Sequence, residues 1–201
     1  QGNLTKEIEK SIREAKTLTE IEDIYRPFRP KRRTRATIAK EKGLEPLAST
    51  IMLQQNIDID TLAAKYIDTK KGVSDIDDAL TGARDIIAER INEDTTVRNR
   101  MRNLYRRSAM LSARVAKGKE EEGAKYSSWF DWQENMMKAP SHRILAMFRG
   151  ENEGFLKVKI QPEDDNKAIA QLERQFIRGY NHSSAQMKLA IKDSYTRLLA
   201  P

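Results

Sequence analysis

The sequence predicts a mainly α fold: a multi-helix, bundle-like assembly with at most one or two short strands. Three observations carry that expectation. Charged residues make up 33% of the 201-residue chain and aromatics only 6%, which suits long polar helices with apolar stripes better than a β-sandwich. Gly (9) and Pro (6) are too sparse to punctuate many tight turns. Apolar residues recur at helical spacing along most of the chain.

The elements follow in order. Leu4, Ile8, Ile12 and Ala15 stripe a helix over residues 4–16, with Lys6, Glu9, Lys10 and Arg13 opposite. Thr19 with Glu22 forms a capping-box pattern that opens a second helix. Ile21, Ile24 and Tyr25 are its apolar side, and Pro27 and Pro30 stop it. After a cationic turn, a helix covers 36–42 with Gly43 as C-cap. Leu44, Leu47, Ile51 and Met52 stripe the next helix, and Asp58 or Asp60 caps a short one through Tyr66. Ile76, Leu80, Ala83, Ile87 and Ile91 mark an amphipathic helix over 75–92, with Asp75, Asp77 and Asp78 at its positive dipole end.

The spacing of Val97, Met101, Leu104, Ser108, Leu111 and Val115 then predicts one long helix from Thr95 to Val115, with a packing seam interrupted by one serine. Residues 117–125 read as a flexible loop. It divides an N-terminal helical part (1–116) from a C-terminal part (126–201). Tyr126, Trp129, Phe130 and Trp132 are expected to anchor the chain onto a core, and Pro140-Ser141 opens a helix ending near Gly150. Phe155, Val158 and Ile160, interleaved with Lys157 and Lys159, make the one convincing strand, although Leu156 breaks the alternation. A lone strand needs a pairing partner, inside this chain or outside it. Helices over 163–178 and 184–200 close the sequence, with Asn181 and Ser183 at the break between them.

Composition excludes some chemistries. There is no cysteine, hence no disulfide, thiol catalysis or thiolate metal site. No apolar run approaches the roughly 20 residues of a membrane span. Gln1 is not a translation start, which predicts a piece of a longer or processed chain. No phosphate-binding glycine loop, zinc-helix motif or nucleophile elbow is present. The two histidines, His142 and His182, lack partners at ligand spacing. The acidic clusters sit mostly at expected helix starts, where carboxylates serve as caps. A non-catalytic chain with no cofactor and no metal is expected.

The net charge of +7 favours an anionic partner, and two basic features localise it. Arg26, Arg29, Lys31, Arg32, Arg33 and Arg35 crowd one turn beside Tyr25 and Phe28. They suit phosphates and a stacked base, or, as the reading slightly favoured by the prolines that fix the turn, a rigid joint bridged by arginine forks. From Thr95 to Lys119 there is no Asp or Glu, and Arg98, Arg102 and Arg106 share one flank at i, i+4 spacing. Such repulsion calls for compensation, either by a phosphate backbone or by the acidic helix 75–92 in an antiparallel hairpin.

Three ordered blocks resemble the Tex family of bacterial transcription accessory proteins. They are Glu22-Asp-Ile-Tyr-Arg-Pro-Phe-Arg-Pro-Lys-Arg-Arg-Thr-Arg and its continuation through Ala48, Ala83-Arg-Asp-Ile-Ile-Ala-Glu-Arg-Ile, and Pro140-Ser-His-Arg-Ile-Leu-Ala-Met-Phe-Arg-Gly followed by Leu156-Lys-Val-Lys-Ile. The resemblance implies the helical region that precedes an RNase H-like module, with helix-turn-helix-like elements, in a cytoplasmic protein of transcription. It implies RNA or DNA and possible contact with the transcription machinery as partners, and no membrane. It assigns no nucleic-acid-contacting residue here. A scaffold positioning other domains is the competing expectation.

Overall fold

A computed structural model of the chain describes residues 5–15, 17–25 and 33–200. The helices are α1 (Lys6–Glu14), α2 (Leu18–Tyr25), α3 (Arg35–Glu41), α4 (Glu45–Leu53), α5 (Ile59–Ala64), α6 (Ile76–Glu93), α7 (Thr95–Ser108), α8 (Ser141–Asn152), α9 (Asp165–Phe176) and α10 (His182–Asp193). The strands are β1 (Ala109–Val115), β2 (Asp131–Asn135) and β3 (Leu156–Pro162). The chain forms two compact units. One runs through Arg98 and resumes at Leu172–Leu199; the other is Asn99–Gln171. The chain leaves the first unit within α7 and returns to it within α9.

The first unit is helical and centred on α6. Helices α3, α4, α5 and α10 and a π-helical turn at Ser194–Leu199 all pack against α6. Leu44, Leu47, Ile51, Ile86, Ile87, Ile91, Met187 and Tyr195 are buried, so the stripes that define these helices also form their core. Side-chain caps fix the starts. Asp58 accepts from the Asp60 and Thr61 amides, Asp75 from the Asp78 amide, and Asn181 from the Ser184 amide. The second helix opens two residues earlier than the capping box suggests, since Thr17 Oγ1 accepts from the Glu20 amide at 3.3 Å. Gly82 lets α6 approach the start of α4, because a Cβ there would collide with Leu44 Cδ1.

One buried side chain ties distant parts of this unit together. Gln54 ends α4 in the left-handed region, φ 53°. Its Nε2 donates to the Phe176 carbonyl at 2.7 Å, and its Oε1 accepts from the Arg178 amide at 2.9 Å. Its own carbonyl accepts from Asn181 Nδ2 at 2.8 Å, and the Gln55 carbonyl accepts from Ser183 Oγ at 3.0 Å. These bonds clamp the turn between α9 and α10.

The second unit holds a three-stranded antiparallel sheet in the order β2-β1-β3. This corrects the expectation of at most one or two short strands, while the mainly α character stands. The expected helix Thr95–Val115 stops at Ser108, whose hydroxyl bonds back to the Leu104 carbonyl at 2.8 Å. Residues 109–115 become the central strand. Leu111 and Val115 fit a helical seam, but Ala109, Leu111 and Ala113 also fit a period of two. Pairing on both sides decides for the strand: Leu111 lies opposite Glu134 of β2 and Ile160 of β3. The strand whose partner the sequence leaves open, inside or outside the chain, therefore pairs with β1. Its alternation is regular from Leu156 onward, because Phe155 lies just outside β3.

Leu111, Ala113, Tyr126, Met147 and Leu156 form the core of this unit, with Trp129, Phe130, Trp132 and Phe155 packed around them. The aromatic cluster anchors as expected. Helix α8 lies on β3, and Gly150 allows the close approach: a Cβ there would sit 2.6 Å from Leu156 Cδ1. Residues 117–123 run through turns, with Lys119 paired to Glu122 at 2.7 Å, into a 3-10 helix at Ala124–Trp129.

Candidate nucleic-acid interface

The two basic features divide unequally once placed. Arg26, Arg29, Lys31 and Arg32 lie outside the described residues. Arg33 is within them and pairs with Glu41 at 2.7 Å on the surface. Arg35 is the exposed first residue of α3, behind its cap Thr34.

Helix α7 starts on Asp94, whose carboxylate accepts from the Thr96 and Val97 amides at 2.7 and 3.2 Å. Its arginines share a flank but not a fate. Arg98 Nε donates to Asp23 Oδ1 at 3.1 Å, and that carboxylate is only 6% exposed. A guanidinium committed to a buried carboxylate is a structural element rather than a phosphate contact. Arg102 donates to Asn99 Oδ1 at 3.2 Å. Arg106 and Arg107 are exposed and take no ion pair among the described residues. Being in the last turn, they also suit the negative dipole end of α7.

Three carboxylates of α6 that could compensate α7 are engaged elsewhere. Asp85 pairs with Arg197 at 3.1 Å and Asp77 with Arg84 at 3.5 Å. Glu89 accepts from Thr34 Oγ1 at 2.9 Å and lies 3.6 Å from Lys40 Nζ. Burial pushes the Asp85 carboxyl above its ordinary value, against the pull of Arg197.

From α7 the chain runs straight into β1, where sequence reading missed a cationic surface. One face of the sheet buries Leu111, Ala113 and Leu156. The register sets the opposite face in rows: Lys157–Arg114–Asp131, then Lys159–Ser112–Gln133. Lys157, Lys159, Arg114 and Gln133 are exposed. Lys157 stands directly across from Arg114, a like-charge pair that destabilises a sheet unless an anion is near. Asp131 supplies only part of that. Its carboxylate is 3.9 Å from Arg114 Nε, with both groups over 80% exposed, where an ion pair contributes little. Lys157 and Lys159 have no ion pair among the described residues. The alternating lysines were visible in the sequence, but Arg114 looked like a helix flank.

The edge of β3 is closed to further strands at its centre. Glu151 of α8 reaches over and accepts the Val158 amide at 2.9 Å. On the buried side, Glu134 joins Trp132 Nε1 and Arg143, both at 3.1 Å, and the Arg143 guanidinium lies over the Trp132 ring. Glu153 is held below the usual carboxylate range by the Lys125 ammonium and the Tyr126 hydroxyl.

No group of three or more His, Asp or Glu among the described residues could hold a metal ion. No described helix is long and apolar enough to cross a membrane. An open pocket of about 200 Å³ collects Lys42, Lys65 and Lys71. Two of these are engaged: Lys42 donates to the Gly72 carbonyl at 2.6 Å, and Lys71 pairs with Asp68 at 3.7 Å.

A family model described as Tex central region-like matches residues 54–196. The chain belongs to the Tex family. It is 42% identical over 168 residues to the tex protein of Bordetella pertussis, covering 84% of this chain and 21% of that protein. It is 45% identical over 163 residues to YhgF of Escherichia coli, covering 81% and 21%. It is 39% identical over 171 residues to the transcriptional accessory protein Tex of Neisseria gonorrhoeae, covering 85% and 22%. The chain thus spans about a fifth of the length of these family members. The family match covers α7, the sheet and both units' helices from Gln54 onward.

Proposed function

We propose that this chain is a non-catalytic segment of a Tex-like transcription accessory protein that contributes to RNA or DNA binding in the cytoplasm. One observation carries the reading. The acid-free helix α7 ends in exposed Arg106 and Arg107 and leads into a sheet whose open face presents Arg114, Lys157 and Lys159. Of these, Arg106, Arg107, Lys157 and Lys159 are exposed and take no ion pair among the described residues, which leaves them able to release counterions from a phosphate backbone. The name of the gonococcal relative supports transcription as the setting. Arg98 favours a second reading, in which the segment chiefly positions other domains, since this arginine is spent on Asp23.

Fluorescence anisotropy of the chain with single-stranded RNA and duplex DNA, across a salt series, separates the two. Arg106→Glu with Arg107→Glu, and Lys157→Glu with Lys159→Glu, are expected to weaken binding and flatten the salt dependence. Each phosphate that is no longer neutralised lowers the log–log slope by about 0.7–0.9. Absence of salt-sensitive binding at micromolar protein sinks direct contact and leaves the positioning role.

A further inference from the structure

A second acid-free stretch runs from Arg174 to Lys192. It carries Arg178, Lys188 and His182 between those ends, and no Asp or Glu. At its middle is the turn between α9 and α10, residues 177–181. Two facts about that turn pull in opposite directions. Its backbone is held unusually firmly: the buried Gln54 side chain bonds to Phe176 and Arg178, and the Gln54 carbonyl bonds to Asn181. The residue the turn carries is held only loosely. Tyr180 is fully exposed, its ring entirely in water, and Lys188 Nζ lies 5.9 Å from the ring centroid.

A single exposed tyrosine is ordinary on its own. A tyrosine projecting from a turn clamped through a left-handed glutamine is not, because a residue in that backbone region persists only where its surroundings enforce it. The clamp orders the turn before any ligand arrives, so little further backbone entropy is lost on binding. The ring offers a flat apolar surface, and Lys188 and the exposed Arg178 supply charge beside it. The acid that His182 influences is Asp58, the cap of α5. It is occupied by the hydroxyl and amide of Thr61.

We infer that the α9–α10 turn is a stacking site for an unpaired base of a single-stranded nucleic acid, with Tyr180 as the platform and Arg178 and Lys188 for the flanking phosphates. Aromatic rings set among cations bind single strands in this way with little regard to sequence. A duplex keeps its bases stacked inside and gains nothing from the ring. The inference shares the partner class of the proposed function but none of its residues.

The test uses the whole 201-residue chain and a single-stranded oligonucleotide containing 2-aminopurine, read by anisotropy and by base fluorescence, with a duplex of the same sequence alongside. Tyr180→Ala is expected to weaken single-strand binding by about 5- to 150-fold, the range for losing one stacked base. It should abolish the stacking quench and leave duplex binding and thermal stability unchanged. Tyr180→Phe keeps the ring and is expected to bind as the parent does. Equal affinity and equal quench for Tyr180→Ala overturn the inference. If only the variants at Arg106, Arg107, Lys157 and Lys159 lose binding, this site fails and the proposed surface stands. If only Tyr180→Ala loses binding, the reverse holds. A parent chain that binds neither nucleic acid overturns both.

Discussion

Replacing Gln54 with Ala removes the side-chain part of the clamp between α4 and the α9–α10 turn, leaves the bonds to the Gln54 and Gln55 carbonyls, and does not touch the apolar core. Two of its three side-chain hydrogen bonds decide the cost, because the third donor, Ser184 Oγ at 3.3 Å, keeps Asn181 Oδ1 at 3.0 Å as an acceptor. The Phe176 carbonyl is deprived of a donor at 2.7 Å, and the Arg178 amide of an acceptor at 2.9 Å. An ordinary hydrogen bond contributes about 1 kcal/mol, and an orphaned buried group costs up to about 3. Both bonds are part-buried, so water rescues some of each, and about 2–4 kcal/mol in all is expected. For a chain of this size, that corresponds to a fall in Tm of roughly 5–12 °C. Gln54→Gly gives an internal control. It removes the same clamp but accepts φ 53° without strain, so it should be the more stable of the two by about 1 kcal/mol. Thermal melts by circular dichroism and hydrogen exchange at the Arg178 amide read both effects. If Gln54→Ala melts within about 0.5 kcal/mol of the parent and the Arg178 amide stays protected, the clamp is not what holds the turn.

Two further outcomes are expected. Gly150→Ala places a Cβ 2.6 Å from Leu156 Cδ1 and 3.2 Å from Tyr126 Cδ1. It should cost about 1–3 kcal/mol of overpacking, seen as a lowered Tm and a changed near-ultraviolet signal from Trp129 and Trp132, while an unchanged Tm would show that α8 does not approach β3 as described. The folded-state pKa of Asp85 is raised by burial, so its contribution to stability is full at low pH and is lost as pH rises through that raised value. The difference in Tm between Asp85→Asn and the parent should therefore shift in favour of the variant as pH rises above the ordinary carboxylate range; a shift in favour of the parent would mean that Arg197 outweighs burial.

How much of this was legible in the sequence depends on the range of the interaction. Helix α6 was legible because Ile76, Leu80, Ala83, Ile87 and Ile91 repeat locally, and its cap Asp75 is one residue away. The strand β1 was not. Leu111 and Val115 satisfy both periods, and the deciding partners lie in β2 and in β3, where Lys159 is the match of Ser112. The arginines of α7 look equivalent in sequence, yet Arg98 is taken by Asp23, 75 residues earlier, and Arg106 is not. A buried glutamine leaves no periodic signal at all, so the Gln54 clamp, spanning 122 residues to Phe176, was invisible. The sheet's cationic face was half visible. The alternation of Lys157 and Lys159 was there to read, but their row-mate Arg114 appears only once β1 is known to be a strand.

The insertion of one unit into the other sets an order for synthesis. Asn99–Gln171 is continuous, so every contact it needs has left the ribosome by the time Gln171 emerges. The helical unit cannot finish then. Its α6 waits for Ser194, whose hydroxyl bonds to the Ala88 carbonyl across 106 residues, and α4 waits for the turn that Gln54 holds. At about 5–20 residues per second, that gap lasts roughly 5–20 s. Throughout it the nascent α4 and α6 expose Leu47, Ile51, Ile86 and Ile87 without their final cover, which makes this the interval when a chaperone or a misfolded partner competes for them.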